Sequence, residues 1–212
     1  MTTIAILLLA AGASSRMGGR DKLMEDVDGA PLLSRICHRA ALTGLPCYVT
    51  VPGLSHPRVA ATGTASVIDV PDASEGMAAS IRTGVAALPH ETDAVMILPC
   101  DMPDLETQDL LHLAAHFPSS NSKSRNSPVL RATASDGTPG HPVIFPRHCF
   151  AALRQITGDQ GARAVLSENE VELVALPAQR ALTDLDTPEA GSRWRASRGS
   201  HETENGRANS KD

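Results

Sequence analysis

Aromatic side chains and long apolar segments are both scarce in this sequence. Aromatic residues make up 2% of the 212 residues, so the core must be built from Ala, Val, Leu and Ile. Such a core is typical of α/β folds, whose parallel strands are buried on both faces. The apolar run at residues 4–9 is too short to cross a bilayer, and no basic segment precedes it. We therefore expect neither a signal peptide nor contact with a membrane.

Surplus positive charge and paired cysteines are also lacking. The 19 Lys and Arg residues are outnumbered by 24 Asp and Glu residues, which gives a net charge of −5. This balance argues against a surface that binds nucleic acid or anionic lipid. The cysteines have no C-x-x-C spacing, so we expect free thiols and a cytoplasmic protein. They are Cys37, Cys47, Cys100 and Cys149.

The chain has the length of one domain and a tail. Roughly 100–200 residues form a domain, and hydrophobic residues make up 42% of the sequence. Strand and helix patterns alternate through residues 1–191, which predicts a single α/β domain. Residues 192–212 are rich in Ser, Arg, Gly, Glu and Asn, so we expect a disordered tail there.

The loop after the first predicted strand matches neither of two common phosphate-binding motifs, G-x-x-x-x-G-K-[ST] and G-x-G-x-x-G. Instead, a buried strand at residues 4–9 ends in Ala-Ala-Gly at residues 10–12, whose small side chains let a ligand approach the backbone N–H groups. Arg16 and Lys22 add positive charge beside that backbone. Such a loop is typical of a site for the phosphates of a nucleotide. A tight strand-to-helix turn would also account for its glycines.

A second candidate segment has the pattern of a helix N-terminus. Gly76 precedes a predicted helix that carries Met77 and Ile81 at helical spacing, with Ser80 near its start. Backbone N–H groups at such an N-terminus attract an anion or the polar edge of a base. An ordinary capped helix shows the same pattern, so this segment alone does not decide between the two interpretations.

Asp101 follows a buried strand predicted at residues 94–98 and lies between Pro99 and Pro103. A carboxylate at the end of a central strand lies in the crevice where open α/β sheets bind ligands. Burial of that charge is costly unless it is paired, and Mg²⁺ is a natural partner. An aspartate here could instead cap the next helix, a role that we assign to Asp104.

A second pair of acids follows near the end of the domain. Asp184 and Asp186 are two residues apart, so in an extended segment they lie on the same face and are able to approach one ion. Thr187 and Pro188 have the pattern of a helix start, so part of this segment is structural.

Two other segments carry polar groups of interest. Gly140, His141 and Pro142 follow a predicted turn, and a lone histidine in a loop is more often a packing or hydrogen-bonding residue than a base. Arg163 begins a predicted helix and offers a planar, bidentate group suited to a phosphate. An ion pair between Arg163 and Asp159 is an equally good interpretation.

Together these segments resemble the motifs of the MobA-like NTP transferases, nucleotidyltransferases that act on molybdenum cofactor. The first motif, L-A-[AG]-G-x-S-x-R-M-G followed by a lysine, corresponds to Leu9 through Gly18 with Lys22. Five further motifs follow in the family's order, and the resemblance covers roughly residues 4–190. It implies a Rossmann-like α/β nucleotidyltransferase fold, with three α/β/α layers and a mixed, mostly parallel sheet.

The resemblance also implies roles for individual residues. Arg16, Lys22 and Asp101 are expected to be catalytic, and Asp101 with Asp186 or Asp184 is expected to bind Mg²⁺ or Mn²⁺. The implied acceptor-binding residues are Gly140, His141, Pro142 and Arg163. The implied nucleotide-binding residues are Leu9, Ala10, Ala11, Gly12, Arg16, Lys22, Gly76, Met77, Ser80 and Asp101.

The implied reaction transfers CMP from CTP to molybdopterin or molybdenum cofactor and releases pyrophosphate. Ala11 in Ala-Ala-Gly and the G-D-x-G-A-R string that ends at Arg163 favour CTP, whereas the spacing between Arg16 and Lys22 is nearer to the guanine branch of the family. The alternatives are a guanylyltransferase or transfer to another small phosphorylated acceptor. A cofactor-binding chaperone that serves a molybdenum hydroxylase is a further alternative, against which the metal-site aspartates and Lys22 argue.

Overall fold

The computed structural model describes residues 2–13, 20–118, 127–158, 161–187, 189–194 and 196. Arg16 and its neighbours in the first motif lie outside the described residues, as do Asp159, Pro188 and residues 197–212 of the predicted tail. The roles predicted for Arg16 and Pro188, and the alternative Asp159–Arg163 ion pair, therefore stay predictions.

The described strands form one large sheet and one small hairpin. They are β1 (Ile4–Leu9), β2 (Asp26–Val27), β3 (Ala30–Pro31), β4 (Cys47–Val51), β5 (Ser66–Asp69), β6 (Ala94–Pro99), β7 (Val129–Thr133), β8 (Pro139–Pro146) and β9 (Val171–Ala175). Within the described part of the chain, the large sheet has seven strands in the order β5-β4-β1-β6-β8-β7-β9, and β2 pairs with β3. Among the described strands of the large sheet, β8 alone runs antiparallel to its neighbours, which are β6 and β7, so this sheet is mixed and mostly parallel.

Helices cover both faces of this sheet. They are α1 (Leu32–Ala41), α2 (Met77–Ala87), α3 (Thr107–His116), α4 (Phe150–Leu153) and α5 (Arg163–Ser167). Buried aliphatic residues of α1 and α3 share a core with one face of the sheet, while those of α2, α4 and α5 share a core with the other. The predicted three-layer α/β/α architecture with an aliphatic core is therefore confirmed.

The centre of the sheet provides a crevice for a ligand. Strand β1 lies between β4 and β6, and the chain passes to β4 on one side before it returns to β6 on the other. In open α/β sheets such a switch point opens a crevice at the carboxyl ends of the two strands. Leu9 pairs with Pro99 at that edge, so the loops that follow β1 and β6 start side by side.

The segment containing Gly140, His141 and Pro142 was expected to be a loop, and this expectation was wrong. These residues lie within β8, which runs between β6 and β7. The strand contains prolines at 139, 142 and 146. Proline has no N–H group to donate to a neighbouring strand and is rare in central strands, which explains why the sequence pattern concealed β8.

The expected cap of helix α3 was also wrong. The carboxylate of Asp109 accepts a hydrogen bond from the backbone N–H of Glu106 at 2.8 Å, which ties the helix start to its first turn. Asp104 instead accepts a hydrogen bond from the indole N–H of Trp194 at 2.7 Å. Trp194 is buried in the core, so the folded unit extends past the boundary predicted at residue 191.

The state of the cysteines and the character of the helices are both described by the structure. The four cysteines are free thiols, three of them buried and Cys47 half-buried. None of the helices among the described residues combines the length and the apolar character that crossing a membrane requires.

Candidate active site

Three charged side chains from distant parts of the chain meet at the central crevice. The ammonium nitrogen of Lys22 lies 2.5 Å from Oδ2 of Asp101 and 2.6 Å from Oδ1 of Asp186. These partners are 79 and 164 residues away from Lys22 in the sequence. The side chains of Lys22 and Asp101 are 16% and 15% exposed, and that of Asp186 is 37% exposed, so the cluster opens to solvent on one side.

Local structure positions each member of this cluster. Lys22 begins a short 3₁₀ helix, and the carboxylate of Asp21 accepts the N–H of Leu23 at its start. Asp101 follows β6 with one residue between them, as the sequence predicts. The backbone N–H of Leu185 donates to the carbonyl oxygen of Asp101 at 3.0 Å, which holds the Asp184–Asp186 segment against the end of β6.

Strand β8 holds the segment that leads to these acids. A Cβ atom at Gly140 would lie 2.0 Å from the carbonyl oxygen of Ala181, so only glycine allows this contact. The N–H of His141 donates to the same carbonyl at 2.9 Å. Gly140 therefore has a structural reason to be glycine, in addition to the acceptor contact that the resemblance implies.

The electrostatics of the cluster favour a cation between the acids. Burial of Lys22 disfavours its charged form, but the charges and hydrogen bonds of Asp101 and Asp186 outweigh burial and raise its pKa. The pKa of Asp184 is raised by burial and then by the negative charges of Asp186 and Asp101. Lys22 is therefore an ammonium ion at neutral pH, and three carboxylates share its surroundings.

The donor set fits a hard divalent cation. Asp101 and Asp186 offer carboxylate oxygens, which are the ligands that Mg²⁺ prefers, and both reach the same point in space. Within the described residues, no three His, Cys, Asp or Glu side chains are grouped closely enough to form a metal site. An ion held here would therefore take ligands from water or phosphate as well, as Mg²⁺ sites commonly do.

The two predicted nucleotide-binding segments lie on the same side of the sheet. Ala11 is buried against Val70 and Ala79, and Ala79 belongs to the first turn of α2. Gly76 precedes that helix with φ of 111°, a backbone conformation that strongly favours glycine. Met77, at the start of α2, is 44% exposed.

The remaining predicted nucleotide-binding residues differ in exposure. Leu9 and Ala10 are buried at the end of β1, Gly12 is exposed, and Ser80 is almost fully buried in α2. The N–H of Ala10 donates to the carbonyl oxygen of Thr50 at 3.1 Å, so this amide takes part in the sheet and is not aimed at a ligand.

His141, on β8, lies within electrostatic reach of Asp101 and of a cation on β7. Burial lowers its pKa to about 4, assisted by the positive charge of Arg131 and opposed by the negative charge of Asp101. The imidazole is therefore neutral at neutral pH. Its Nδ1 atom is buried and has no hydrogen-bond partner within the described part of the chain.

Sequence reasoning missed Arg131, which lies on β7 beside this histidine. Its Nε–H donates to the carbonyl oxygen of Gly140 at 3.1 Å. Burial lowers the pKa of Arg131, and the positive charge of Arg163 lowers it further. The sequence did contain an indication of this residue, because Arg131 is the one charged residue in the strand sequence Val-Leu-Arg-Ala-Thr, whose other side chains are apolar or small.

Hydrogen bonds from Arg82 and to Glu75 connect α2 and the loop before it with the loop before α5. Arg82 pairs with Glu75 at 2.7 Å and also donates to the carbonyl oxygen of Ile156 at 3.0 Å. The N–H of Gly158 donates to the same glutamate at 3.3 Å. A Cβ atom at Gly161 would lie 3.1 Å from the sulfur of Met77, so the two loops are in close contact. The start of α2, which carries predicted nucleotide contacts, is therefore in contact with the loop that leads to Arg163.

The architecture is the α/β nucleotidyltransferase fold, which solved nucleotidyltransferases share. Rv0371c from Mycobacterium tuberculosis has been solved in complex with manganese and is similar to this chain with a TM-score of 0.72 and 22% identity. The similarity covers 91% of this chain and 97% of that one. At this level of identity, the comparison concerns the fold alone.

Sequence comparison identifies the family. The model of the MobA-like NTP transferase domain matches residues 6–173. The molybdenum cofactor guanylyltransferase of Pseudomonas aeruginosa is 30% identical over 191 residues, which cover 87% of this chain and 91% of that protein. The molybdenum cofactor cytidylyltransferase of Escherichia coli is 26% identical over 193 residues, with coverage of 89% and 94%. The chain belongs to the MobA-like NTP transferase family and is a nucleotidyltransferase.

Proposed function

We propose that this enzyme transfers CMP from CTP to the phosphate of molybdopterin or molybdenum cofactor and releases pyrophosphate. The observation that carries the proposal is the convergence of Lys22, Asp101 and Asp186 at the carboxyl ends of the central strands. A cation and two acids at this crevice suit a reaction between phosphate groups, because the acids can hold a divalent ion and the cation can neutralise a phosphate.

The main obstacle to this reaction is the electrostatic repulsion between the two phosphate groups, which the protein must reduce. An oxygen of the acceptor phosphate forms a bond to the α-phosphorus of the nucleotide, while the bond to the bridging oxygen of the β-phosphate breaks and pyrophosphate leaves. The attacking oxygen is already anionic, so no strong general base is needed. Bringing two phosphates together is unfavourable unless positive charge surrounds them.

We propose separate roles for the acidic and the basic residues of the cluster. Asp101, together with Asp186 or Asp184, would hold Mg²⁺ or Mn²⁺, and the ion when bound would neutralise the reacting phosphates. Lys22 holds the same acids in the structure, and we infer that its ammonium turns to the triphosphate when a divalent ion takes its place. Arg16, which is outside the described residues, is proposed to add a second positive charge.

The other side of the site suits a phosphorylated acceptor. Arg131 and Arg163 supply two guanidinium groups, and the positive charge of Arg163 acts on Arg131. The charges of Arg131 and Asp101 both act on the imidazole of His141, whose Nδ1 has no hydrogen-bond partner among the described residues. We propose that these side chains, with Gly140 and Pro142, bind the acceptor.

Replacing Arg131 with glutamine is expected to raise KM for the acceptor about tenfold or more, because a hydrogen bond to a charged phosphate contributes about 1.5–3 kcal/mol. KM for CTP should change less than twofold. Initial rates of pyrophosphate release, with each substrate varied in turn, measure both constants. Arg154→Gln is the matched control, since Arg154 contacts the carbonyl oxygen of Val85 near the far end of α2. Equal changes in both KM values would contradict the assignment of Arg131 to the acceptor.

The choice of nucleotide has two candidates. CTP is favoured by Ala11 and by the string that ends at Arg163, both of which resemble the cytidine branch. GTP is favoured by the spacing between Arg16 and Lys22 and by the guanylyltransferase of Pseudomonas aeruginosa, which is 30% identical. We propose CTP because of Ala11 and the string that ends at Arg163; the methyl group of Ala11 packs against Val70 and Ala79, so it helps to set the spacing between the loop and α2.

Ala11→Gly is therefore expected to move the preference toward GTP. Without the methyl group the loop loses its packing against Val70 and α2 and can shift to admit a purine, and one methyl group changes discrimination by roughly 10- to 200-fold. The measurement is the ratio of kcat/KM for CTP to that for GTP. Ala13→Gly, at an exposed position in the same loop, controls for added backbone freedom. An equal change of this ratio in both variants would contradict the proposal that Ala11 determines the preference for CTP.

The overall proposal is tested by measuring pyrophosphate release with molybdopterin and each nucleoside triphosphate in turn. We expect release that requires molybdopterin, a divalent ion and CTP. Release with GTP instead would select the guanylyltransferase candidate. Tight binding of the finished cofactor with no release from any nucleotide would support the chaperone alternative and contradict the proposed enzyme.

A further inference from the structure

Arg58 is a buried cation beside the predicted phosphate loop to which none of the sequence motifs assigns a role. It lies in a short 3₁₀ helix, Pro57–Ala61, which follows β4. The residue is only 2% exposed, and a buried arginine is rare unless its charge is paired. Four of its hydrogen bonds go to the segment that joins β1 to the 3₁₀ helix at Lys22–Met24.

The guanidinium group of Arg58 contacts both ends of this segment at once. One terminal nitrogen donates to the carbonyl oxygens of Ala10 at 2.6 Å and Gly12 at 2.8 Å. The other two nitrogens donate to the two carboxylate oxygens of Asp21 at 2.7 and 2.8 Å. A planar guanidinium makes such a bidentate contact while still reaching two carbonyls, whereas a lysine ammonium lacks this fork of donors.

The carbonyl contacts fix the direction of two backbone donors. In a trans peptide the C=O and the following N–H point in opposite directions within one plane. Because the carbonyls of Ala10 and Gly12 turn toward Arg58, the N–H groups of Ala11 and Ala13 point away from it. The helix of Arg58 packs into the core layer of α1 through Ala61, whereas Ala11 packs on the layer of α2. These N–H groups therefore face away from the α1 layer.

The carboxylate contacts of Arg58 reach the catalytic cluster through one residue. Asp21 precedes Lys22 and accepts the N–H of Leu23, so the ion pair with Arg58 fixes the start of the 3₁₀ helix that carries Lys22. The ammonium of Lys22 lies at the other end of that side chain, between Asp101 and Asp186. A shift of Asp21 would therefore displace the ammonium.

We infer that Arg58 is a positioning residue that aims the N–H groups of Ala11 and Ala13, and through Asp21 the ammonium of Lys22, at the triphosphate of the nucleotide. The inference rests on the proposed function, because it assumes that a triphosphate binds at this loop. In these contacts Arg58 donates to two backbone carbonyls and one carboxylate of the protein, so it acts through the residues that it holds.

The test compares Arg58→Lys with the wild-type enzyme. Equilibrium binding is measured by calorimetry with Mg²⁺-CTP and with inorganic tripolyphosphate, which lacks the base and ribose. We expect both dissociation constants to rise at least about tenfold, since more than one charged or backbone hydrogen bond is disturbed. KM for the acceptor should stay within about twofold, since the acceptor side chains keep their places. Loss of stability without a change in either dissociation constant would show a merely structural role and overturn the inference.

Arg147→Lys is the matched control. Arg147 also donates to two backbone carbonyls, those of His90 and Thr92, but it lies at the opposite end of β6. We expect its substitution to lower the melting temperature while leaving both dissociation constants unchanged. An equal loss of tripolyphosphate affinity in this control would assign the effect to general destabilisation and overturn the inference.

Asp21→Asn tests the inference even if Arg58→Lys does not fold. This change removes the negative charge but leaves the contacts of Arg58 with Ala10 and Gly12. We expect kcat to fall at least about tenfold through Lys22, with a smaller change in affinity for tripolyphosphate. An unchanged kcat would overturn the inference. A wild-type enzyme that binds neither CTP nor tripolyphosphate would instead overturn the proposed function, and the inference with it.

Discussion

Asp101→Asn should lower kcat for pyrophosphate release about 1,000-fold while the protein remains folded. The substitution removes a carboxylate charge from the place where the proposed divalent ion neutralises developing charge, and the loss of one such interaction costs about 100- to 1,000-fold or more. The amide also lacks the full charge that bonds to Lys22 at 2.5 Å in the structure. The measurement is kcat with saturating CTP and molybdopterin at a fixed Mg²⁺ concentration.

Asp104→Asn is the matched control for this prediction. Asp104 is three positions along the same segment, and its carboxylate accepts the indole N–H of Trp194 rather than contacting the cluster. We expect this variant to keep kcat within about twofold, since exchange of a carboxylate for an amide at this place leaves an acceptor for the indole. Full activity of Asp101→Asn, or equal losses in both variants, would refute the metal-binding role.

Lys22→Met should change metal affinity and turnover in opposite directions. In the structure the ammonium of Lys22 holds Asp101 and Asp186, so it competes with any cation for their oxygens. Without the ammonium the acids repel each other, and Mn²⁺ affinity in the absence of nucleotide is expected to rise at least about tenfold. Turnover is expected to fall about 100-fold, because the triphosphate loses a cation.

The control for Lys22→Met is Arg20→Met, which removes the same charge two positions earlier. Arg20 pairs with Glu25 at 3.3 Å and its side chain is 61% exposed. Titration with Mn²⁺ monitored by electron paramagnetic resonance gives the affinities, and pyrophosphate release gives the rates. We expect little change in either quantity for the control. A lower Mn²⁺ affinity in Lys22→Met would mean that the lysine and the ion do not share the acids.

The fold was predictable because the apolar runs that define it are unambiguous. Ile4–Leu9 and Ala94–Pro99 are short, aliphatic and bounded by turn residues, so the two central strands were expected where they occur. Strand β8 was missed because it contains three prolines, a composition that is typical of a loop. A sequence pattern reports local preferences, whereas the place of Pro139–Pro146 depends on pairing with two other strands.

The candidate site was predictable in its residue types and less so in its contacts. Asp101, Asp186 and Lys22 were expected at one place, but the sequence does not show that the lysine bonds directly to both acids. Arg58 and Arg131 were missed for a physical reason. Each acts through backbone carbonyls that are distant in sequence or hidden in a strand, and such contacts leave no spacing pattern to detect.

In the proposed function, a cation and acids from distant segments of the chain bring the phosphates of the two substrates together. The most direct test is a crystal structure of the enzyme with Mn²⁺ and CTP, with the metal located by anomalous scattering. We expect a manganese peak about 2.1 Å from carboxylate oxygens of Asp101 and of Asp186 or Asp184. The ammonium of Lys22 should then contact the triphosphate. A peak remote from these acids, or a nucleotide bound while Lys22 still bridges Asp101 and Asp186, would contradict it.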